Sequence, residues 1–376
     1  MSGIDYDLVI IGAGIVGSAC AWEAVRAGMK PLVIEQHVIG GGATAAGMGH
    51  IVVMDDSDAQ LALTKLSRDL WEERRSAWPA AVQYDPCGTL WIAADDEEMG
   101  EVRRKHDIYR QHGLDAEILD QKQIESAEPQ LRKGFHGGLR VPGDRVIYPP
   151  AAAQTLLTEA QTKGARILKG RRVSQLEKHR LRLDDDSILT ANLAILATGS
   201  RSTELLPDLP IRPRKGHLAI TDRYPGLVRH QWVELGYLKS AHGSTADSVA
   251  MNIQPRLNGQ LLIGSSRQFE QAHTEIDFDI LSRMLDRAIV YMPALKELSV
   301  IRTWTGFRAA SPDHLPLIGP DLYHEGLYLA TGHEGLGITT SLGTARLLLQ
   351  HITGQSTSIP LDPYLPQRFR KGCSHG

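Results

Sequence analysis

Residues 7–35 read "DLVIIGAGIVGSACAWEAVRAGMKPLVIE", and the fold turns on how this stretch is read. It is a poor membrane or signal segment. Asp5 and Asp7 precede it where a signal sequence carries positive charge, and no small-residue cleavage site follows. A spanning helix needs about 20 apolar residues without strong breakers. Here Gly12, Gly14 and Gly17 cut the run, and Glu23 and Arg26 charge its second half. Strand, turn, helix and strand fit better. Residues 8–11 form a short apolar strand, residues 15–27 an Ala-rich helix stopped by Gly28, and residues 31–34 a second strand ended by Glu35. In G-x-G-x-x-G the first glycine allows the tight turn and the second lets the backbone approach a pyrophosphate. The third lets helix and strand pack closely, so that the helix N-terminus faces the anion. Glu35 follows Gly17 by eighteen positions, where an acidic side chain can hold a ribose hydroxyl. The stretch reads as a dinucleotide-binding βαβ unit; a Gly-rich turn without ligand is the bland alternative.

A chain of 376 residues has room for about two domains. With 42% hydrophobic and 23% charged residues and a net charge of −3, nothing points to nucleic acid or an anionic membrane as partner. Cys20, Cys87 and Cys373 form neither a C-x-x-C pair nor a zinc spacing, and a reducing cytoplasm is the expected compartment. The tail "RKGCSHG" reads as a disordered terminus rather than a metal site, and no metal is expected.

Beyond the first unit, "GGGATAAGMGHIVV" is too rich in Gly and Ala to pack as ordinary helix or strand, and suits close approach to a planar ligand. Residues 59–78 read as a helix with Leu61, Leu63, Leu66, Leu70 and Trp71 inward. "CGTLWIAAD" reads as a strand, and "EEMGEVRRKHDIYRQHG" as an exposed helix whose charges form a solvated face. α/β patterning returns in "VIYPPAAAQTLLTEAQTKGARILKG" and in the apolar strand "LTANLAILATGS". Between about 212 and 304 the pattern shifts to "GHLAITD", "SVAMNIQP" and "GQLLIGSS", strands with turn residues between them, joined by one amphipathic helix in "DFDILSRMLDRAIVYMPAL". "GLYLATGHEGLGITTSLGTARLLLQHITG" closes as strand, Gly-rich loop and helix. A dinucleotide domain is thus interrupted twice by antiparallel-rich insertions.

Four separated segments are similar to the D-amino acid oxidase superfamily of FAD enzymes. They are the first motif with Glu35; "GGGATAAGMGH"; "LAILATGS"; and "TWTGFRAASPDHLPLIGP" with "GLYLATGHEGLGI". The resemblance implies a discontinuous two-domain fold. It joins an α/β, Rossmann-like FAD-binding domain (residues 1–82, 146–211 and 305–376) to an α+β substrate-binding domain with an antiparallel sheet (residues 83–145 and 212–304). It places Gly12, Gly14, Gly17 and Glu35 at the ADP moiety, and Ala43 and Thr44 near the pyrophosphate. Ala46, Gly47, Met48, Gly49 and His50 would lie beside the isoalloxazine, and the Val173 backbone would meet the adenine. Ala197, Thr198 and Gly199 join the cofactor set. The loop His333, Glu334, Gly335, Leu336, Gly337, Ile338, Thr339 would aim N–H groups at the flavin's N1–C2=O edge, where a helix N-terminus favours negative charge. Arg308 matches the arginine that grips the substrate carboxylate with two parallel hydrogen bonds; a structural salt bridge is its alternative.

The implied reaction is oxidation of an amino acid's C–N bond, with hydride passing to flavin N5. His50, Asn252 and Glu334 are candidates for the polar wall around the amine, each with a supporting hydrogen-bonding role as the alternative. His333 has a packed loop histidine as its alternative. Asn252 stands where glycine oxidases carry a tyrosine, and the closing loop lacks their second basic residue; both depart from simple glycine oxidation. "RKGHLAITDRYPG", "VELGYLKSAHG" and "NIQPRLNGQLLIGSSRQ" are most similar to the β subunits of D-hydroxyproline dehydrogenases and opine oxidases. That implies cis-4-hydroxy-D-proline as substrate, with octopine, nopaline or another amino acid as the alternative; FAD is expected to be non-covalent, since the segment around Trp304 has no cysteine to attach it. It also implies other subunits that pass electrons toward a membrane-associated acceptor, and a flavin mononucleotide (FMN) at a subunit interface. The basic stretch Arg212-Pro213-Arg214-Lys215 reads as a solvated loop, with contact to the FMN phosphate as the alternative. A flavin-bearing subunit without turnover and an NAD-dependent dehydrogenase are the competing classes. "LAILATGS" and the closing Gly-rich loop argue against the latter.

Overall fold

The computed structural model describes residues 5–236, 247–269 and 273–369. Cys373, His375 and part of "VELGYLKSAHG" lie outside them. The chain opens with β1 (Tyr6–Ile11), α1 (Ile15–Arg26) and β2 (Leu32–Glu35). The Gly/Ala run is not wholly irregular: it holds one helical turn, α2 (Ala43–Ala46), and a short strand, β3 (His50–Ile51). α3 (Asp58–Glu73) is capped by the Ser57 side chain, which accepts from the Gln60 N–H. There follow β4 (Thr89–Ala93), α4 (Asp96–Gln111), β5 (Glu117–Asp120), α5 (Gln121–Ala127), β6 (Gly137–Val141) and β7 (Arg145–Val146). α6 (Pro149–Thr162) starts on proline, which suits a first turn that has no use for its N–H. It leads to β8 (Arg166–Lys169), β9 (Val173–Glu177), β10 (Arg180–Leu183), β11 (Ile188–Leu196) and α7 (Ser202–Leu205).

The second half contributes β12 (Arg212–Arg223), β13 (Gln231–Glu234), β14 (Ser248–Pro255) and β15 (Gln260–Arg267). α8 (Phe278–Tyr291), β16 (Val300–Ala310), β17 (Leu317–Pro320), β18 (Leu327–Thr331) and α9 (Gly337–Ile352) complete it.

These strands form two large sheets. The first has the order β17-β18-β11-β1-β2-β8, parallel from β18 to β8, with β10 and β9 continuing from β11. Parallel strands are covered on both faces, so β1 is apolar throughout. Leu8 and Ile10 pack with α1, α6 and α9, while Val9 and Ile11 face Val173, Leu181 and Leu206. The second sheet runs β16-β12-β15-β14-β13-β4-β6-β5 and is antiparallel except between β13 and β4. α8 covers one face through Leu281, Met284 and Ala288. The architecture is the expected α/β unit joined to a second unit with a largely antiparallel sheet.

Three expectations need correction. The boundary between 304 and 305 falls inside β16, which pairs with β12 from Val300 to Ala310 and belongs wholly to the second sheet. The stretch 212–215 is not a solvated loop but the start of β12, with Arg214 and Lys215 4% and 0% exposed. Arg214 ion-pairs with Glu334, so burial removes both side chains from contact with an FMN phosphate. Nor do all the charges of α4 lie on a solvated face. Lys105 is buried, pairs with Asp55, and holds its ammonium 4.7 Å from the centre of the Trp91 ring, because α4 packs on β4 and β6.

Candidate active site

A cavity of about 390 Å³ lies between the two units. Of the expected site residues, all line it except Gly17, Leu336 and Thr339. At one end the turn after β1 approaches the strand beside it. Gly12 has φ +101°, and a Cβ there would stand 2.7 Å from the Ala197 carbonyl oxygen. Gly17 lies behind the turn, where an added Cβ would collide with the Gly12 carbonyl, so its role is close packing of helix on strand. Glu35 reaches back to this turn: Oε2 accepts from the Ala13 N–H at 2.8 Å and Oε1 from the His37 N–H at 2.7 Å. A carboxylate has about four acceptor positions, so capacity remains for hydroxyl donors. Thr44 Oγ1 accepts from the Ile15 N–H at 3.0 Å and ties α2 to the start of α1, which has no side-chain cap of its own at Gly14. Val173 lines the same end.

At the other end the cavity meets the second sheet. Arg308 on β16 donates through Nη1 to the Ser266 carbonyl at 3.0 Å. Its guanidinium fits because the neighbouring strand carries Gly216, where a Cβ would stand 2.5 Å from Nη1. Glu334 has φ +53°, donates its N–H to Ala309 O at 2.9 Å and gives its carboxylate to Arg214. It is therefore a paired acid. His333 is buried, with Nε2 3.0 Å from Thr344 Oγ1, and burial pushes its pKa down to about 4. It reads as a packed, neutral loop histidine. Thr339 is also buried, and its hydroxyl donates to His50 O at 2.8 Å. Leu336 packs at the edge of an apolar cluster with Val52 and Leu61.

His50 and Asn252 come together as expected: Asn252 Nδ2 is 3.1 Å from His50 Nε2. Burial lowers the His50 pKa, so the ring is neutral at pH 7. On the far side His50 Nδ1 is bonded to Gln231 Oε1. Sequence reasoning missed Gln231, Gly216, Ser265 and His217, which meet the site through strand pairing. At the end formed by the glycine turn it missed Arg171, Arg172 and Arg201, which line the cavity from the segment before β9 and the turn after β11. Nothing local in the sequence distinguishes them.

The model of the DAO family of FAD-dependent oxidoreductases matches residues 7–351. The chain belongs to this family. A hydrogen cyanide synthase subunit of Pseudomonas aeruginosa is 25% identical over 418 residues, covering 97% of this chain and 96% of the relative. A D-amino acid dehydrogenase of Methylobacterium nodulans is 29% identical over 326 residues, covering 83% of this chain and 74% of the relative. The crystal structure of an L-proline dehydrogenase from P. horikoshii superposes with a TM-score of 0.88 at 23% identity, covering 97% of this chain and 98% of the other. That last likeness concerns the fold.

The cavity fits the FAD of a DAO-family oxidoreductase. A side chain would fill the cradle at Gly12, Glu35 keeps free acceptor positions, and the starts of α1 and α9 both border the space. α9 has no side-chain cap at Leu336, so its first N–H groups are available to an anionic edge.

Proposed function

We propose that the chain oxidises the C–N bond of a small amino or imino acid, and that its substrate is cis-4-hydroxy-D-proline. The observation that supports this most is the cavity lining: Arg308 and the bonded pair of Asn252 and neutral His50 line one cavity with the Gly/Ala run. Arg308 would pair with the substrate carboxylate in a two-pronged grip and so orient the Cα–H. Asn252 and His50 would face the nitrogen, and Met48, Leu218 and Leu262 form an apolar cluster that helps exclude water. FAD, when bound along the glycine cradle, supplies the acceptor for the two electrons released. We assign FAD to the unit built on the first sheet and the substrate to the unit built on the second.

The same carboxylate and amine contacts would serve an opine, so the test is a substrate screen. Holoprotein is mixed without oxygen with cis-4-hydroxy-D-proline, D-proline, octopine, nopaline, sarcosine and glycine, and bleaching of the flavin is followed. Fastest bleaching by the hydroxyproline supports the reading. Bleaching by an opine alone moves the substrate to that class, and bleaching by none makes the chain a flavin-bearing subunit without turnover.

We also propose that electrons leave through another subunit toward a membrane-associated acceptor. A relative named as a synthase subunit supports this. Three cysteines cannot supply the four thiolates of an iron–sulfur cluster. Among the described residues no helix is long and apolar enough to cross a membrane.

A further inference from the structure

Behind His50 a chain of hydrogen bonds leaves the cavity and ends on a buried carboxylate. From His50 Nδ1 it passes to Gln231 Oε1. Gln231 Nε2 then bonds Thr89 Oγ1 at 2.5 Å, and Thr89 Oγ1 bonds Asp144 Oδ2 at 2.6 Å. The links come from β3, β13, β4 and the turn between β6 and β7. Gln231 and Thr89 are register partners in the parallel pair β13–β4. Gln231, Thr89 and Asp144 are all fully buried. Asp144 Oδ1 also accepts from the Val53 N–H at 3.3 Å and lies 3.7 Å from Arg68 Nη1. On the cavity side, Asn252 Oδ1 is buried and has no hydrogen-bond partner among the described residues.

The polarity of the chain follows from its far end. An ionised carboxylate can only accept. Thr89 therefore spends its single hydroxyl proton on Asp144 and accepts from the Gln231 amide nitrogen. That turns the Gln231 oxygen toward His50, which must carry its proton on Nδ1. A neutral ring protonated there has its lone pair on Nε2. Asn252 must then offer its amide nitrogen to His50, which leaves Oδ1 as an acceptor at the cavity wall.

We infer that Asp144, acting through Thr89, Gln231 and His50, sets the amide orientation of Asn252 and so presents a carbonyl acceptor to the N–H of the substrate. This rests on the amine-oxidising reading above. Asp144 is a positioning residue, since it touches neither substrate nor cofactor. Protonation of Asp144 would make it a donor to Thr89, reverse each link, and turn the Asn252 amide nitrogen toward the substrate instead. Burial raises the Asp144 pKa to about 6, opposed by the positive charges of Arg68 on α3 and Arg145 on β7, with Tyr109 on α4 and Cys87 also close enough to feel its charge. The orientation is therefore open to change in mildly acid solution.

The experiment compares two ligands of one shape on the FAD-loaded protein: D-proline, which has a ring N–H, and tetrahydrofuran-2-carboxylate, whose ring oxygen cannot donate. Without oxygen, D-proline binding is read from the concentration dependence of the rate at which it bleaches the flavin, and binding of the oxygen analogue from its shift of the flavin absorbance. Thr89→Val keeps the side-chain shape and cuts the chain. It should weaken D-proline binding about tenfold, the worth of one hydrogen bond, and leave the oxygen analogue within twofold. Thr89→Ser should restore the wild-type preference, and Gln231→Met should repeat the loss. The wild type should lose its preference for D-proline as pH falls through about 6, and Thr89→Val should show no such limb. Equal weakening of both ligands, or of neither, overturns the inference.

A substrate-free measurement separates this from failure of the functional reading. With ¹⁵N-labelled histidine, the His50 ring (assigned by its loss in His50→Gln) should show the proton on Nδ1 in the wild type and a shifted tautomer population in Thr89→Val. A wild type that binds neither ligand would refute the amine-oxidising reading alone. Tautomer signals identical in wild type and Thr89→Val would refute the relay alone.

Discussion

Arg214 and Arg308 stand directly opposite one another in the antiparallel pair β12–β16, so their side chains leave the same face of the sheet. Two guanidiniums at adjacent positions would repel, and Glu334 meets this by pairing with Arg214. On the same face Arg308 donates to the Ser266 carbonyl, and it is the residue proposed above to meet the substrate carboxylate. Glu334→Gln should lower stability by about 3 kcal/mol, since it removes one charged member of a buried ion pair. Urea unfolding of the variant measures this, and an unchanged midpoint would sink it.

Arg308→Lys should lower kcat/KM by roughly 30- to 1,000-fold, because a point charge cannot reproduce a forked grip. Gly216→Ala should give a similar loss without touching any charge, since the added methyl would occupy the space of Nη1. Steady-state kinetics on the substrate found by the screen decides both. Wild-type kinetics in either variant would remove that wall from the site.

Glu35→Ala should release FAD more readily, with a free N–H at Ala13 and at His37 in place of two bonded ones. In the wild type FAD should come off intact with acid or heat. Equilibrium dialysis of flavin against both proteins measures the change, and equal affinity would contradict the role given to Glu35.

His333 has a folded pKa of about 4 against 6.5 unfolded, because burial disfavours the charged ring. Between these values the unfolded chain binds the extra proton. The stability His333 contributes is complete above pH 6.5 and is lost as pH falls toward 4. Asp144 works in the opposite sense, its pKa raised by burial from 3.8 to about 6, so its contribution is full below 3.8 and fades as pH rises through 6. The wild type alone would blend the two. The comparison that isolates His333 is with His333→Gln, which should lose less stability than the wild type from pH 6.5 to 4. Parallel stability curves would rule the assignment out.

The first βαβ unit was legible because its signals are consecutive: strand, glycines, helix and Glu35 follow within 29 residues and depend on no distant partner. Arg308 and the Gly/Ala run were singled out through resemblance, and both line one cavity. The Asp144 chain was not legible. Thr89, Asp144 and Gln231 look like ordinary strand and turn residues, and only the register of β13 on β4 brings them together. Arg214 and Lys215 were misread for the converse reason. Three basic residues around a proline suggest solvent locally, but Glu334, more than a hundred positions later, pairs with Arg214 inside the protein.

β16 has a mechanical consequence. One unbroken strand pairs with β12 along its length, while Trp304 Nε1 donates to Ala46 O at 3.3 Å and Ala309 O holds the Glu334 N–H. It works as a beam built into both halves of the molecule, and it carries Arg308 between those two anchor points. A rigid-body swing of one half against the other would have to break it. The halves are therefore expected to melt together, with the wall that carries Arg308 tied to the glycine-rich side at both anchors.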